Sequence, residues 1–302
     1  MTSQFPVRYE STTEDSARWA GFTCRAGDIV ISTRPKSGTA WMQMICALLV
    51  FQRTDLPLPL RELSPWLDCT MVPIDDVLEK LSAQRHRRFV KTHTPLDGIP
   101  LDPRAHYIVV ARHPLDMAVS MYHQMSNMDR ARMRALTGRP ERAAPPPLHE
   151  WLLQWIDTDV SPRADMDSLP CAMWHLTDAW NRRGASNVTL VHYDELSTHL
   201  GSEMRRVANL LGITVPERTW PELIEAATFA SMRDAAHRLA PDPADIFKDA
   251  TAFFRRGGSG AGRDVLSSDE LARYHARVAH MAPADLLDWL HGPPHTPAPQ
   301  SP

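Results

Sequence analysis

A lysine held in a small-residue loop between two apolar runs is the first group in this chain equipped for chemistry. The loop reads Thr33-Arg34-Pro35-Lys36-Ser37-Gly38-Thr39-Ala40-Trp41, after an apolar run at 29–31 and before a longer one at 41–51. Backbone N–H groups of such a loop, together with the N-terminus of a following helix, attract anions, and Lys36 adds a full charge. The order is not that of a Walker A loop, because the glycine here follows the lysine instead of preceding it. The spacing predicts a phosphate-type cradle and argues against an ordinary ATPase.

Lys91 and His93 stand two apart in Arg88-Phe89-Val90-Lys91-Thr92-His93-Thr94-Pro95. On a strand that spacing puts both side chains on one face. A cation and a base would then share a site, and an imidazole titrates near neutrality. A third unit runs from Tyr107 through Arg112 and Pro114 to Ser120. Pro114 suits the first turn of a helix, so Arg112 before it and Ser120 within it could hold one anion from two sides. The apolar strand before Arg112 ends in a cation, where a Walker B strand ends in aspartate; Asp194, after another strand, makes this argument suggestive only. A fourth unit, Phe253-Phe254-Arg255-Arg256-Gly257-Gly258-Ser259-Gly260, offers guanidinium and backbone donors to a phosphate. Alone, each unit has a bland counterpart: a loop histidine, a structural ion pair, a basic surface loop.

The elements that must position these groups are short apolar runs at 28–32, 88–92, 106–111 and 187–192, separated by helical patterns. That alternation predicts an α/β fold, a three-layer P-loop-like arrangement with a mainly parallel central sheet flanked by helices. Ligands of such sheets bind beyond the carboxyl ends of the strands, which here carry Arg34 to Thr39, Lys91, His93, Arg112, Tyr193 and Asp194. Residues 139–147 are too rich in proline for regular structure and read as a linker or a lid. Met117, Met121, Met125 and Met128 recur with Tyr122 at helical spacing, which favours core over a ligand wall. The same preference holds for the tryptophans at 151–155 and 174–180.

The chain has 302 residues, 43% hydrophobic and 23% charged, with a net charge of −3. These are values of a globular protein and lend no support to nucleic-acid binding. We expect one domain over 1–302, an ordered core at about 10–291 and a Pro-rich, disordered tail at 292–302. Neither a signal peptide nor a transmembrane run is legible, and the cysteines at 24, 46, 69 and 171 show no paired spacing. A cytoplasmic protein with no bound metal is the expectation.

Together the four units resemble a PAPS-dependent sulfotransferase, in the family's order and over residues 28 to 265 or so. Pro35-Lys36-Ser37-Gly38-Thr39-Ala40-Trp41 is similar to the family's 5′-phosphosulfate loop. Lys91-Thr92-His93-Thr94-Pro95 matches its Lys-Thr-His-x-Pro segment, and Arg112 with Ser120 matches its 3′-phosphate grip. Arg255-Arg256-Gly257-Gly258-Ser259-Gly260 is similar to its late glycine loop. The resemblance implies 3′-phosphoadenosine 5′-phosphosulfate (PAPS) as donor, PAP as product and no required metal. It implies His93 as base, with Lys36 and Lys91 stabilising charge. Arg34, Pro35, Lys36, Ser37, Gly38, Thr39, Ala40 and Trp41 would cradle the 5′ end. Arg112, Ser120, Arg255, Arg256 and Gly257 would hold the 3′-phosphate, Trp41 and Phe229 would flank the adenine, Tyr193 would reach its edge, and Thr228 would also contact the cofactor. Ser64-Pro65-Trp66-Leu67-Asp68 and residues 86–98 look closest to actinobacterial glycolipid sulfotransferases, implying a bacterial enzyme and a glycolipid or related glycoside acceptor. A phenolic or other natural-product hydroxyl is the alternative acceptor. A P-loop nucleotide kinase and a non-catalytic nucleotide-binding module are the rival functions. Ala40 stands where many members have threonine. Gly262 stands where tryptophan is usual, so a looser late loop is expected. Oligomeric state is not legible.

Overall fold

β-branched residues crowd four short runs, and each forms a strand: β1 Ile29–Ser32, β2 Phe89–Thr92, β3 His106–Ala111 and β4 Val188–His192. The computed structural model describes residues 6–140, 144–242 and 244–292. All neighbouring strands pair in parallel, in the order β2-β1-β3-β4. Val30 of β1 lies between Val90 and Tyr107, and Ile108 of β3 lies opposite Thr189 of β4.

Parallel neighbours need long crossovers, and helices supply them. Side chains alternate across the sheet. Ile29, Ile31, Phe89, Ile108, Val110 and Val191 pack on one face with the helix Thr39–Phe51. Val30, Val90, Tyr107, Val109 and Ala111 pack on the other with the helices Pro114–Asn127, Leu148–Asp157, Leu169–Asn181 and Ser268–Val278. A sheet buried on both faces explains why its strands read as unbroken apolar runs. The layers are helix, sheet, helix, as the alternation predicts.

The chain leaves β1 towards β2 on one side and leaves β3 towards β4 on the other. The crevice between the carboxyl ends of β1 and β3 is therefore the topological switch point, where open α/β sheets bind ligands. Pro114 opens the helix after β3 at its first position, and the His113 side chain accepts from the Leu115 N–H. At the far end of the sheet Arg88 Nε donates to Asp28 Oδ1 at 2.9 Å, a buried pair that fixes where β1 and β2 begin. No helix among the described residues is long and apolar enough to cross a membrane. The Pro-rich tail from 293 and the centre of the 139–147 segment lie outside the described residues.

Candidate active site

The loop after β1 turns sharply at two residues with left-handed backbones, Lys36 at φ 67° and Gly38 at φ 105°. Glycine suits the second position twice over, because a Cβ there would stand 3.0 Å from the Tyr193 ring and 3.3 Å from Val110. The helix Thr39–Phe51 starts directly afterwards with no side chain capping it, so its first-turn N–H groups remain available to an anion. A cavity of about 1550 Å³ opens at this point. Pro35, Lys36, Gly38, Thr39, Ala40 and Trp41 line it.

Lys36 Nζ is 3.3 Å from Gln124 Oε1 and 3.7 Å from the centroid of the Phe253 ring. Burial, followed by the like charges of Arg112, Lys91 and Arg255, pushes its ammonium down to about 7. Arg34 and Ser37 depart from expectation, since neither side chain faces the cavity. Arg34 points into the core, where it donates to the carbonyls of His93 and Met166. It also lies 3.8 Å from Glu14 and 3.6 Å from Asp167. A buried guanidinium needs acceptors on several sides, and the core supplies them here.

Lys91 and His93 both line the cavity, as their spacing predicts. Lys91 Nζ sits 4.0 Å from the Trp66 ring centroid, and the His93 ring meets the same indole edge-on at 4.9 Å. Burial pushes Lys91 down to about 8 against the opposing pull of Cys69, Glu14 and Asp68. His93 Nδ1 is bonded to the Thr33 carbonyl. A carbonyl only accepts, so Nδ1 carries the hydrogen and Nε2 keeps its lone pair. Burial, then Lys91 and Arg34, hold the imidazolium well below the ordinary histidine range. At neutral pH the ring is an uncharged, oriented base.

Arg112 bridges the loop after β1 and the late glycine loop. Nη1 donates to the Lys36 carbonyl and Nη2 to the Gly258 carbonyl, each at 2.9 Å, and the guanidinium lies 4.2 Å over the Tyr193 ring. Its Nε is buried without a partner. Ser120 lines the cavity two turns into the next helix. The late loop is not loose. The Gly260 and Gly262 N–H groups donate to the Asp116 carboxylate, both at 2.8 Å, and Ser259 bonds Asp194. A Cβ on Gly262 would come within 2.6 Å of the Leu115 backbone, so the missing tryptophan is replaced by close backbone packing. Arg255, Arg256 and Gly257 reach the cavity wall, and Arg256 also stands 3.6 Å from Asp264.

Trp41, Tyr193 and Phe229 line the same region. Trp41 donates from Nε1 to the Ala227 carbonyl at 2.8 Å and meets Tyr193 edge-on. Thr228 is off the wall. Its hydroxyl caps the helix Phe229–Asp234 by accepting from Ser231 N–H, and donates to the Glu225 carbonyl. A threonine before a helix satisfies orphan donors there, and that local demand takes this side chain.

The methionine stripe corrects the core expectation. Met117 is buried in the core, but Met121, Met125 and Met128 line the cavity with Met133, Trp151 and Trp155. Trp180 packs on Trp289, away from the site. Part of the 139–147 segment, namely Arg139, Pro140 and residues 144–146, borders the same space. Sequence reasoning missed Gln124, Trp66, Phe253 and Glu14 as wall residues. Gln124 lies one helical turn beyond Ser120 and was legible from that spacing; the others reach the site through contacts distant in sequence.

Lys36, Lys91, Arg112 and Arg255 thus converge on one cavity, and mutual repulsion contributes to lowering Lys36. A polyanion suits that charge and the orphaned Arg112 Nε. Among the described residues no group of three or more His, Cys, Asp or Glu side chains is arranged to hold a metal ion.

A family model described as a sulfotransferase domain matches residues 26–282. A glycolipid sulfotransferase of Mycobacterium bovis is 40% identical, with 96% of this chain and 97% of that protein covered. One from Mycobacterium tuberculosis matches to the same extent. Sulfotransferase 1A1 of Rattus norvegicus is 26% identical over 85% of each chain. Among solved structures, a mouse sulfotransferase complexed with PAP shares the fold at a TM-score of 0.68 and 20% identity, covering 91% of this chain and 92% of its own.

Proposed function

The chain belongs to the sulfotransferase family, and from that premise we propose that it transfers a sulfuryl group from PAPS to a hydroxyl of a glycolipid-type acceptor. The convergence of Lys36, Lys91, Arg112 and Arg255 around a cavity that also holds a neutral, oriented His93 carries this reading. The full-length similarity to the mycobacterial glycolipid sulfotransferases supports the acceptor class.

PAPS would supply the activated sulfuryl group. His93 Nε2 would take the acceptor's proton, with Nδ1–H held by Thr33 so that the lone pair faces the reacting oxygen. Lys36 would neutralise charge on the phosphate side of the leaving oxygen, and Lys91 charge on the transferring group. Pro35, Gly38, Thr39, Ala40 and the helix start would hold the 5′ end. Arg112, Ser120, Arg255, Arg256 and Gly257 would hold the 3′-phosphate, and Trp41, Tyr193 and Phe229 would enclose the base. Stacking on such rings contributes about 1–3 kcal/mol per base. The apolar wall of Met121, Met125, Met128, Trp151 and Trp155 suits a lipid or aromatic portion of the acceptor. We assign the enzyme to the cytoplasm on its free cysteines.

The test is transfer of labelled sulfate from PAPS to a panel of alkyl glycosides and phenols, with and without EDTA. Transfer that persists in EDTA is the expected result. Transfer that EDTA abolishes would overturn the metal-free mechanism, and nucleotide binding without transfer to any acceptor would favour a binding module.

A further inference from the structure

The cavity wall includes an N-terminal segment that precedes the span matched by the family model. Glu10, Ser11, Thr12, Thr13 and Glu14 all line the cavity. The segment is held firmly to the neighbouring chain. Ser11 Oγ accepts from the N–H groups of Thr13 and Glu14, both at 3.2 Å. Thr70 N–H donates to the Thr13 carbonyl and Asp15 N–H to the Asp68 carbonyl, both at 2.9 Å. Glu14 also bridges to Cys69 in antiparallel register.

Glu14 is only 4% exposed, and its Oε2 is buried without a hydrogen-bond partner. The nearest cation, Arg34, is 3.8 Å away and already donates to the carbonyls of His93 and Met166. That guanidinium nonetheless ties the carboxyl to the base, since one end holds the His93 backbone and the same nitrogen faces Glu14. Only that long contact to Arg34 serves Oε2, and a buried polar group without a hydrogen bond is costly. Oε2 itself is turned to Arg34, so a ligand hydroxyl arriving from the cavity that Glu14 lines would meet the other oxygen of the carboxyl.

We propose that Glu14 is an acceptor-binding residue whose carboxyl hydrogen-bonds a sugar hydroxyl beside the one that is sulfated, with Thr12 and Thr13 extending the polar wall. The inference rests on the glycoside reading given above and names the residues that recognise the sugar. Burial pushes the Glu14 carboxyl up to about 8 against the pull of Arg34. A protonated carboxyl both donates and accepts, and so does a sugar hydroxyl.

The probes are an alkyl glucoside and its monodeoxy analogues, with 2-naphthol as an acceptor that has one hydroxyl and no sugar. Binding is measured calorimetrically on the complex with PAP, and turnover with PAPS. In the wild type, one deoxy analogue should bind about tenfold more weakly than the parent, the size expected for one lost hydrogen bond to a buried polar group. Glu14→Leu should weaken the parent glucoside by a similar factor and remove the sensitivity to that one deoxygenation. It should leave PAP affinity unchanged and cost the glucoside more than 2-naphthol, whose turnover also depends on the Arg34 that holds His93, and Glu14→Gln should retain most glucoside affinity. Equal losses on both acceptors, or wild-type indifference to every deoxygenation, would overturn the contact; the second outcome needs no variant to fold. A wild type that sulfates 2-naphthol but does not bind the glucoside also overturns it. Failure to transfer from PAPS to any acceptor would instead sink the sulfotransferase function itself.

Discussion

At the scale of single residues, burial is the first cause of the shifted titration of Lys36, Lys91 and His93. His93 is kept neutral by burial and by the neighbouring cations Lys91 and Arg34. Replacing it with alanine should lower kcat by about 10²- to 10⁴-fold, the usual share of a positioned base. PAP affinity, read by calorimetry, should stay near wild type; a loss of PAP binding of similar size would show that His93 positions the donor instead. Lys36 gives a pH signature. Its ammonium is pushed down to about 7 in the free protein, and a bound polyanion favours the charged form. Binding PAP above pH 7 should therefore take up a proton. Affinity should fall as pH rises from about 7 to 8, by at most about tenfold per unit for one proton. Lys36→Arg, charged throughout, should flatten that dependence. Calorimetry in buffers of differing ionisation enthalpy measures the uptake directly.

At the scale of elements, the late loop is the informative case. The sequence sets two arginines before a run of glycines, and the departure at Gly262 suggested looseness. The structure ties the loop down through Asp116, which accepts from Gly260 and Gly262 N–H at 2.8 Å each. Gly262→Ala should push Leu115 aside, costing about 1–3 kcal/mol as overpacking does, and should weaken PAP binding by displacing the arginines. Gly258→Ala is the control, because a Cβ there meets nothing within 4 Å. If both variants melted and bound PAP as the wild type does, the loop would not be clamped as described. The helix Pro114–Asn127 shows the same division of information. Its start was legible from Pro114, but its 3.6-residue period marks an apolar face without saying what that face meets. Met117 meets core, and Met121 and Met125 meet the cavity.

At the scale of the whole molecule, the loop after β1 and the methionine and tryptophan wall belong to one continuous cavity. Burying each added methylene against the methionine and tryptophan wall is worth about 0.8 kcal/mol. KM for a homologous series of alkyl glycosides should therefore fall by up to about fourfold per methylene and then level off. A flat series would place the alkyl chain outside the cavity. The residues alone determined the α/β class and the strands, and they singled out Lys36, Lys91, His93 and Arg112 at or beside strand ends and Ser120 on the helix after β3, all of which line the cavity. Parallel pairing then carries those ends to one edge without further instruction. Only the tertiary structure decided the direction of side chains whose partners lie far away in sequence. Arg34 left the cradle for carbonyls at 93 and 166, Thr228 was taken by its own helix cap, and Glu14 came to the wall across β2. Local spacing specifies a face, whereas the burial and charge of what lies opposite specify its use, and those follow from the packed chain.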